Sequence, residues 1–350
     1  MTNSSFFALP QAGEFSIHLR MLRAMAVSLD PVVRAAWHPV ALARDLAPGT
    51  LRAATLAGED LVLWRGEGGI HAWQDLCVHR GVRLSLGRVV EGNFLRCAYH
   101  GWTYDEAGRC ARMPAHPTLA PPSRACVKTF ACAERAGLVW VSLAAEPGPA
   151  PDLTECADPA FRAIPCGPYT APAGVPRLVE NFLDVAHLPI VHEGALGIAC
   201  QAEIAPYEVE WEDGRPIARD IRIHQPNPDG LSAAGEVSYE YGVLSPFAAY
   251  LRKRLPGGKT FALLFAAAPI SETESVAWFT ILMDYGDPAD DAEAAAFQDR
   301  IFAQDAPIVA SQRPERLPLD LAEELHLPSD RMAIAYRQYI RRLGLGFGTA

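Results

Sequence analysis

A chain of 350 residues has room for two domains, and its composition, half hydrophobic and 21% charged, suits a protein that buries a large core. The net charge of −10 and the lack of any Lys/Arg-rich run exclude nucleic acid as an expected partner. No apolar run reaches the roughly 20 residues of a membrane span, and the eight cysteines suggest no disulfide framework in so long a chain, so reduced thiols and a cytoplasmic location are expected.

Residues 1–35 are expected to be an N-terminal extension, because Arg20 and Arg23 interrupt the apolar part of the first 30 residues and leave no clean secretory pattern. Trp37-His38-Pro39 reads as the start of a strand, with His38 structural. From residue 36 to about 145 the pattern is short β-rich runs, 61–66, 70–76, 93–99 and 138–143. Turns at Gly68-Gly69, Glu91-Gly92 and Ala107-Gly108 separate them. This predicts a small antiparallel β domain.

Within it lies the stretch Cys77–Trp102. A Cys-x-His pair, Cys77 and His79, is followed after 17 residues by a Cys-x-x-His pair, Cys97 and His100. A zinc Cys2His2 site is one reading, although zinc fingers usually group the cysteines first and the histidines second. One thiolate and one imidazole on each of two loops suit a Rieske [2Fe–2S] centre better, where two cysteines hold one iron and two histidines the other. Gly81 and Gly101 suit tight loops whose amides approach sulfur.

The Pro- and Ala-rich passage 146–161 reads as a linker, and a second domain is expected over 146–350. Residues 178–187 have helical character, which would place Asp184 and His187 on one face; Pro189 then disrupts the helix and His192 follows from a turn. Two histidines so placed can ligate a metal, but helical Asp/His pairs are also common on surfaces. Residues 203–285 alternate as antiparallel strands, with His224 on a strand or pocket wall. Residues 245–258 are expected to interrupt that sheet as a small basic knot, read either as a solvated loop or as a lid or channel wall. Asp284, Asp287, Asp290, Asp291, Asp299 and Asp305 are candidates for a carboxylate ligand completing a two-histidine iron site. From Ser329 an amphipathic helix with Met332, Ala335, Tyr336, Tyr339 and Leu343 inward closes the domain, its basic face of Arg337, Arg341 and Arg342 read as solvent surface or as part of a subunit contact.

The strings Cys-x-His-Arg-Gly and Cys-x-Tyr-His-Gly-Trp, together with Glu180, Asn181, Asp184, His187 and His192, resemble the Rieske non-haem iron oxygenases. The likeness covers about residues 35–344, and the C-terminal piece looks closest to the vanillate demethylase and phenoxybenzoate oxygenase branch. It implies an α+β protein: a Rieske β domain over 36–145 and a catalytic domain of antiparallel sheet flanked by helices. It implies that Cys77, His79, Cys97 and His100 hold the cluster, and that His187, His192 and Asp305 hold a mononuclear iron. Asp305 is chosen because it stands seven residues before Gln312, the family's spacing. Asp184 would link His187 to His100 of a neighbouring subunit in a homotrimer, and Asn181 would stand close to the iron. Since no Gly-rich nucleotide fingerprint is present, an NAD(P)H-dependent reductase would supply electrons. The implied reaction is hydroxylation or O- or N-demethylation of a small aromatic substrate with O2. Ring dihydroxylation, and electron transfer without oxygenase activity, are the alternatives.

Overall fold

The computed structural model describes residues 30–350, so residues 1–29 of the expected extension lie outside the described residues. Asp30 opens the described chain as an N-cap. Its Oδ1 accepts the amides of Val32 and Val33 at 2.8 and 3.1 Å, starting the one-turn helix α1 (Pro31–Ala35). Its Oδ2 accepts the amides of Gly346 and Phe347, so one carboxylate ties the two ends of the fold together.

Residues 37–142 form two antiparallel sheets. The larger has the order β1 (Trp37–Leu42), β10 (Leu138–Ser142), β9 (Thr129–Arg135), β4 (Gly69–Gln74), β3 (Glu59–Gly66), β2 (Leu51–Leu56). The smaller runs β5 (Arg88–Val90), β6 (Phe94–Arg96), β7 (Thr103–Tyr104), β8 (Cys110–Arg112). The expected turns form: Gly69, Glu91, Gly92 and Gly108 all take positive φ. His38 is fully buried, with Nε2 on the Val33 carbonyl at 2.8 Å, and burial pushes its pKa down to about 4.

The second unit is a seven-stranded antiparallel sheet. Its order is β11 (Arg162–Ala171), β17 (Glu274–Met283), β16 (Thr260–Ser271), β15 (Ala248–Arg254), β14 (Gly235–Ser245), β13 (Arg215–Gln225), β12 (Val209–Glu212). Edge strand β11 was not read from the sequence. Pro165 and Pro168 remove ladder donors, which only an edge or a bulge tolerates, and its pairing shifts register between Cys166 and Tyr169. The basic knot expected over 245–258 is corrected: β15 is an inner strand, paired on both sides. Two of its cations are held by partners from other segments. Arg252 binds Glu155 and Glu240, and Lys253 donates to the Pro228 carbonyl. Glu155 lies on the one-turn helix α2 (Thr154–Ala157), so the passage read as a linker is pinned to the sheet.

Three further helices pack against this sheet, α3 (Val175–Leu183), α5 (Asp291–Ser311) and α6 (Arg331–Leu343), and α4 (Leu188–Val191) follows α3. The helix expected over 178–187 ends at Leu183, because Asp184 turns to extended backbone. The basic face of α6 is corrected at Arg337 alone, since Arg341 and Arg342 are exposed. Arg337 is 3% exposed and bonds Glu180 of α3, Glu324 and the Pro318 carbonyl, while Leu343 is exposed. One buried cluster runs through both units, from Val33 and Trp140 to Phe247 and Ile340.

Candidate active site

The first two loops of interest connect β4 to β5 and β6 to β7. Asp75 pins the first: its carboxylate accepts the Ser85 amide and hydroxyl, both at 2.6 Å. Tight turns then bring the donors inward. The Cys77 amide bonds the Val82 carbonyl and the Cys97 amide the Trp102 carbonyl, both at 2.8 Å, with Gly81 and Gly101 in the left-handed region. Cys77 and Cys97 are buried, and burial and the neighbouring Cys77 push the Cys97 thiol up. The His79 and His100 rings stand 4.6 Å apart, and His79 stacks on Trp102 at 4.5 Å. The Tyr104 hydroxyl lies 3.1 Å from Cys77 Sγ, a partner with no sequence signal beyond being a buried tyrosine. Burial, then the Cys77 sulfur, raise the Tyr104 pKa, so its hydroxyl keeps the proton it would donate to a Cys77 thiolate.

The second cluster gathers His187, His192 and Asp305, whose ligating atoms all lie within 4.8 Å of one another. It is assembled where the helix breaks between α3 and α4. Asp184 ends α3, and its Oδ1 accepts the Ala186 amide at 2.7 Å. His187 caps α4, Pro189 takes the first turn of that new helix, where its missing N–H costs nothing, and His192 is its C-cap. Asp184 and His187 therefore meet across a break and not along one helical face, with Oδ2 3.4 Å from Nδ1. Asp305 sits deep inside α5, far from its start, and presents Oδ1 at 3.1 Å from His192 Nε2 and 3.5 Å from His187 Nε2. The other candidates lie elsewhere: Asp291 binds Arg162, Asp299 binds the Tyr169 hydroxyl, and Asp284 accepts the Thr260 amide.

Both imidazoles are oriented from behind. Asp184 faces Nδ1 of His187, and the Gln304 carbonyl accepts from Nδ1 of His192 at 2.8 Å, which leaves Nε2 of each ring free toward Asp305. Gln304 escaped the sequence reading; its only signal was adjacency to Asp305. Burial opposes protonation of His187, but hydrogen bonding to Asp184 and the charges of Asp184 and Asp305 outweigh it and raise its pKa.

The cluster opens onto a cavity between the sheet and helices α3 and α5. Phe182, Leu251, Phe261, Phe265, Phe279 and Phe302 make its wall largely apolar, with Asn181, Tyr241, Gln298 and Lys253 as polar points. A ring-sized apolar ligand fits such a space, held against the three donors.

Comparison with known proteins agrees with this geometry. Residues 36–131 match the Rieske [2Fe-2S] domain, and residues 172–345 the vanillate O-demethylase oxygenase C-terminal domain. Methylxanthine N1-demethylase NdmA of Pseudomonas putida is 31% identical over 318 residues, 88% of each chain. The structure of NdmA with caffeine superposes with a TM-score of 0.76 at 30% identity, covering 89% of this chain and 91% of that one. Dicamba monooxygenase bound to 3,6-dichlorosalicylic acid gives 0.74 at 25% identity, covering 89% and 97%. The chain belongs to the Rieske non-haem iron oxygenases. It is an oxidoreductase of the oxygen-incorporating class, and its cofactors are a Rieske [2Fe–2S] cluster and a mononuclear non-haem iron. The donor chemistry fits both groups. His79 Nδ1 and Asp305 Oδ1 are buried polar atoms without a hydrogen-bond partner. Two thiols with two imidazoles, and two imidazoles with one carboxylate, are the sets such irons take. Among the described residues no helix is long and apolar enough to cross a membrane.

Proposed function

We propose that the protein is the terminal component of a cytoplasmic oxygenase system that hydroxylates, or removes an O- or N-methyl group from, a small aromatic substrate. Residues 36–145 form its cluster domain and residues 146–350 its catalytic domain. Cys77, His79, Cys97 and His100 hold the cluster, and His187, His192 and Asp305 the mononuclear iron. The observation that carries this reading is the convergence of two imidazoles and one carboxylate on the floor of a largely apolar cavity.

When bound, the cluster supplies single electrons and the mononuclear iron supplies reductive activation of O2. The chain's own residues do the rest. Phe182, Phe265 and Phe279 exclude water and grip an aromatic face. Asn181 offers an amide beside the three donors. Gln304 keeps the His192 proton on Nδ1, and the Asp184 carboxylate, 3.4 Å from His187 Nδ1, favours the same tautomer there.

His100 is exposed, and the Asp184 carboxylate is one-third exposed. That exposure supports a homotrimer in which Asp184 reaches His100 of the neighbouring subunit, so that cyclic closure completes each site. Electrons come from a separate NAD(P)H-dependent reductase.

The test is coupled O2 uptake and formaldehyde release across a panel of methoxy- and N-methyl-arenes, with an added reductase. His187→Ala should abolish turnover and leave the cluster's visible spectrum intact; full turnover in that variant overturns the proposal.

A further inference from the structure

The cavity holds a charge that the oxygenase machinery does not use. Lys253 is 4% exposed on inner strand β15 and lines the same cavity as His187, His192 and Asp305. Among the described residues lining that cavity it is the one lysine, and no arginine joins it.

Its surroundings compensate the ammonium only in part. One N–H goes to the Pro228 carbonyl. The Phe261 and Tyr239 rings lie 4.9 and 5.4 Å from Nζ. Asp229, the acid whose charge acts on Lys253, has its carboxylate taken up by the Leu231 and Ser232 amides and the Ser232 and Tyr285 hydroxyls, and it forms no ion pair with Lys253. An ammonium has three donors. A buried cation without a matched anion weakens a fold, and an apolar side chain of similar length would serve the core better. Burial pushes its pKa down to about 7, a cost that an arriving anion would relieve.

We infer that Lys253 receives the carboxylate of an aromatic acid whose ring lies against the phenylalanine wall, so that the substrate class is a substituted aryl carboxylate and not a neutral arene. This deepens the proposed function and rests on it: the cavity is taken as the substrate site. Lys253 is here a specificity-determining residue. The apolar walls hold a ring of either charge; the ammonium selects the anion.

The experiment is equilibrium binding to the intact, cluster-containing protein. The probes are 2-, 3- and 4-methoxybenzoate and the corresponding neutral methoxybenzamides, measured in the wild type, Lys253→Met and Lys253→Gln. The visible spectrum of the cluster and thermal unfolding confirm that each variant is folded. In the wild type at least one acid should bind about tenfold or more tightly than its amide. Both variants should lose about 30-fold for that acid, the factor one charge-assisted hydrogen bond supplies, while amide binding changes less than about threefold. Equal losses for acid and amide would mean that Lys253 only braces the Pro228 loop, and would overturn the assignment, as would a wild type that binds no acid in preference to its amide. The readout is binding and not turnover. A negative result here therefore leaves the oxygenase reading standing, and loss of that reading shows separately in the His187→Ala assay.

Discussion

Replacing Gln304 by leucine tests the geometry behind His192. That ring is 1% exposed, and its Nδ1 is paired only with Gln304 Oε1, at 2.8 Å. Leucine keeps the volume and removes the acceptor. A buried N–H then loses its partner, costing about 1–3 kcal/mol of stability. The tautomer is also released: with the proton on Nε2, the lone pair no longer points at Asp305 Oδ1, 3.1 Å away. Loss of such an orienting partner costs about 10- to 100-fold in metal affinity. Gln304→Glu restores an acceptor and should recover most of that affinity. The assay is Fe(II) affinity of the reconstituted protein by chelator competition, with the cluster spectrum as internal control. If Gln304→Leu bound iron as the wild type does, or if the glutamate variant were as weak as the leucine variant, the orienting role would be refuted.

Arg337→Ala leaves Glu180 and Glu324 with Arg177 as their remaining shared guanidinium, and should cost about 2–3 kcal/mol in denaturant unfolding; a change below about 1 kcal/mol would contradict a buried network. His38 titrates at about 4 in the fold against 6.5 when exposed, so the unfolded chain binds the extra proton between those values. Stability should fall by about 3 kcal/mol from this residue as pH drops through that window, and His38→Asn should show a correspondingly flatter profile in urea titrations at pH 7 and pH 4.5. Tyr104→Phe removes the O–H donated to Cys77 Sγ, so redox titration should show a lower cluster potential; an unchanged potential would mean that this hydrogen bond does not tune the centre.

The features legible in the sequence were local. Strands β3, β4, β10, β14, β16 and β17 show themselves as β-rich or alternating runs, while β11 hides behind two prolines that only its edge position permits. The basic residues of 245–258 suggested a solvated loop because charge reads as exposure. β15 instead lies between two strands, where Arg252 finds carboxylates and Lys253 a carbonyl and rings, while Arg254 stays exposed. Arg337 misled in the same way: on a helix one turn of basic residues looks solvent-facing until the acids of two other segments are known.

By itself the sequence determined which donor atoms stand close together along the chain. Cys77 with His79, Cys97 with His100, and Asp184 with His187 and His192 are held within reach by covalent spacing, which no packing can undo. Tertiary structure alone decided what those donors face. Asp305 meets His192 only because α5 lies across the break between α3 and α4. The side chain of Lys253 enters the cavity because strand register fixes which face of β15 it occupies. Such directions come from partners far away in the chain, and spacing carries no information about them.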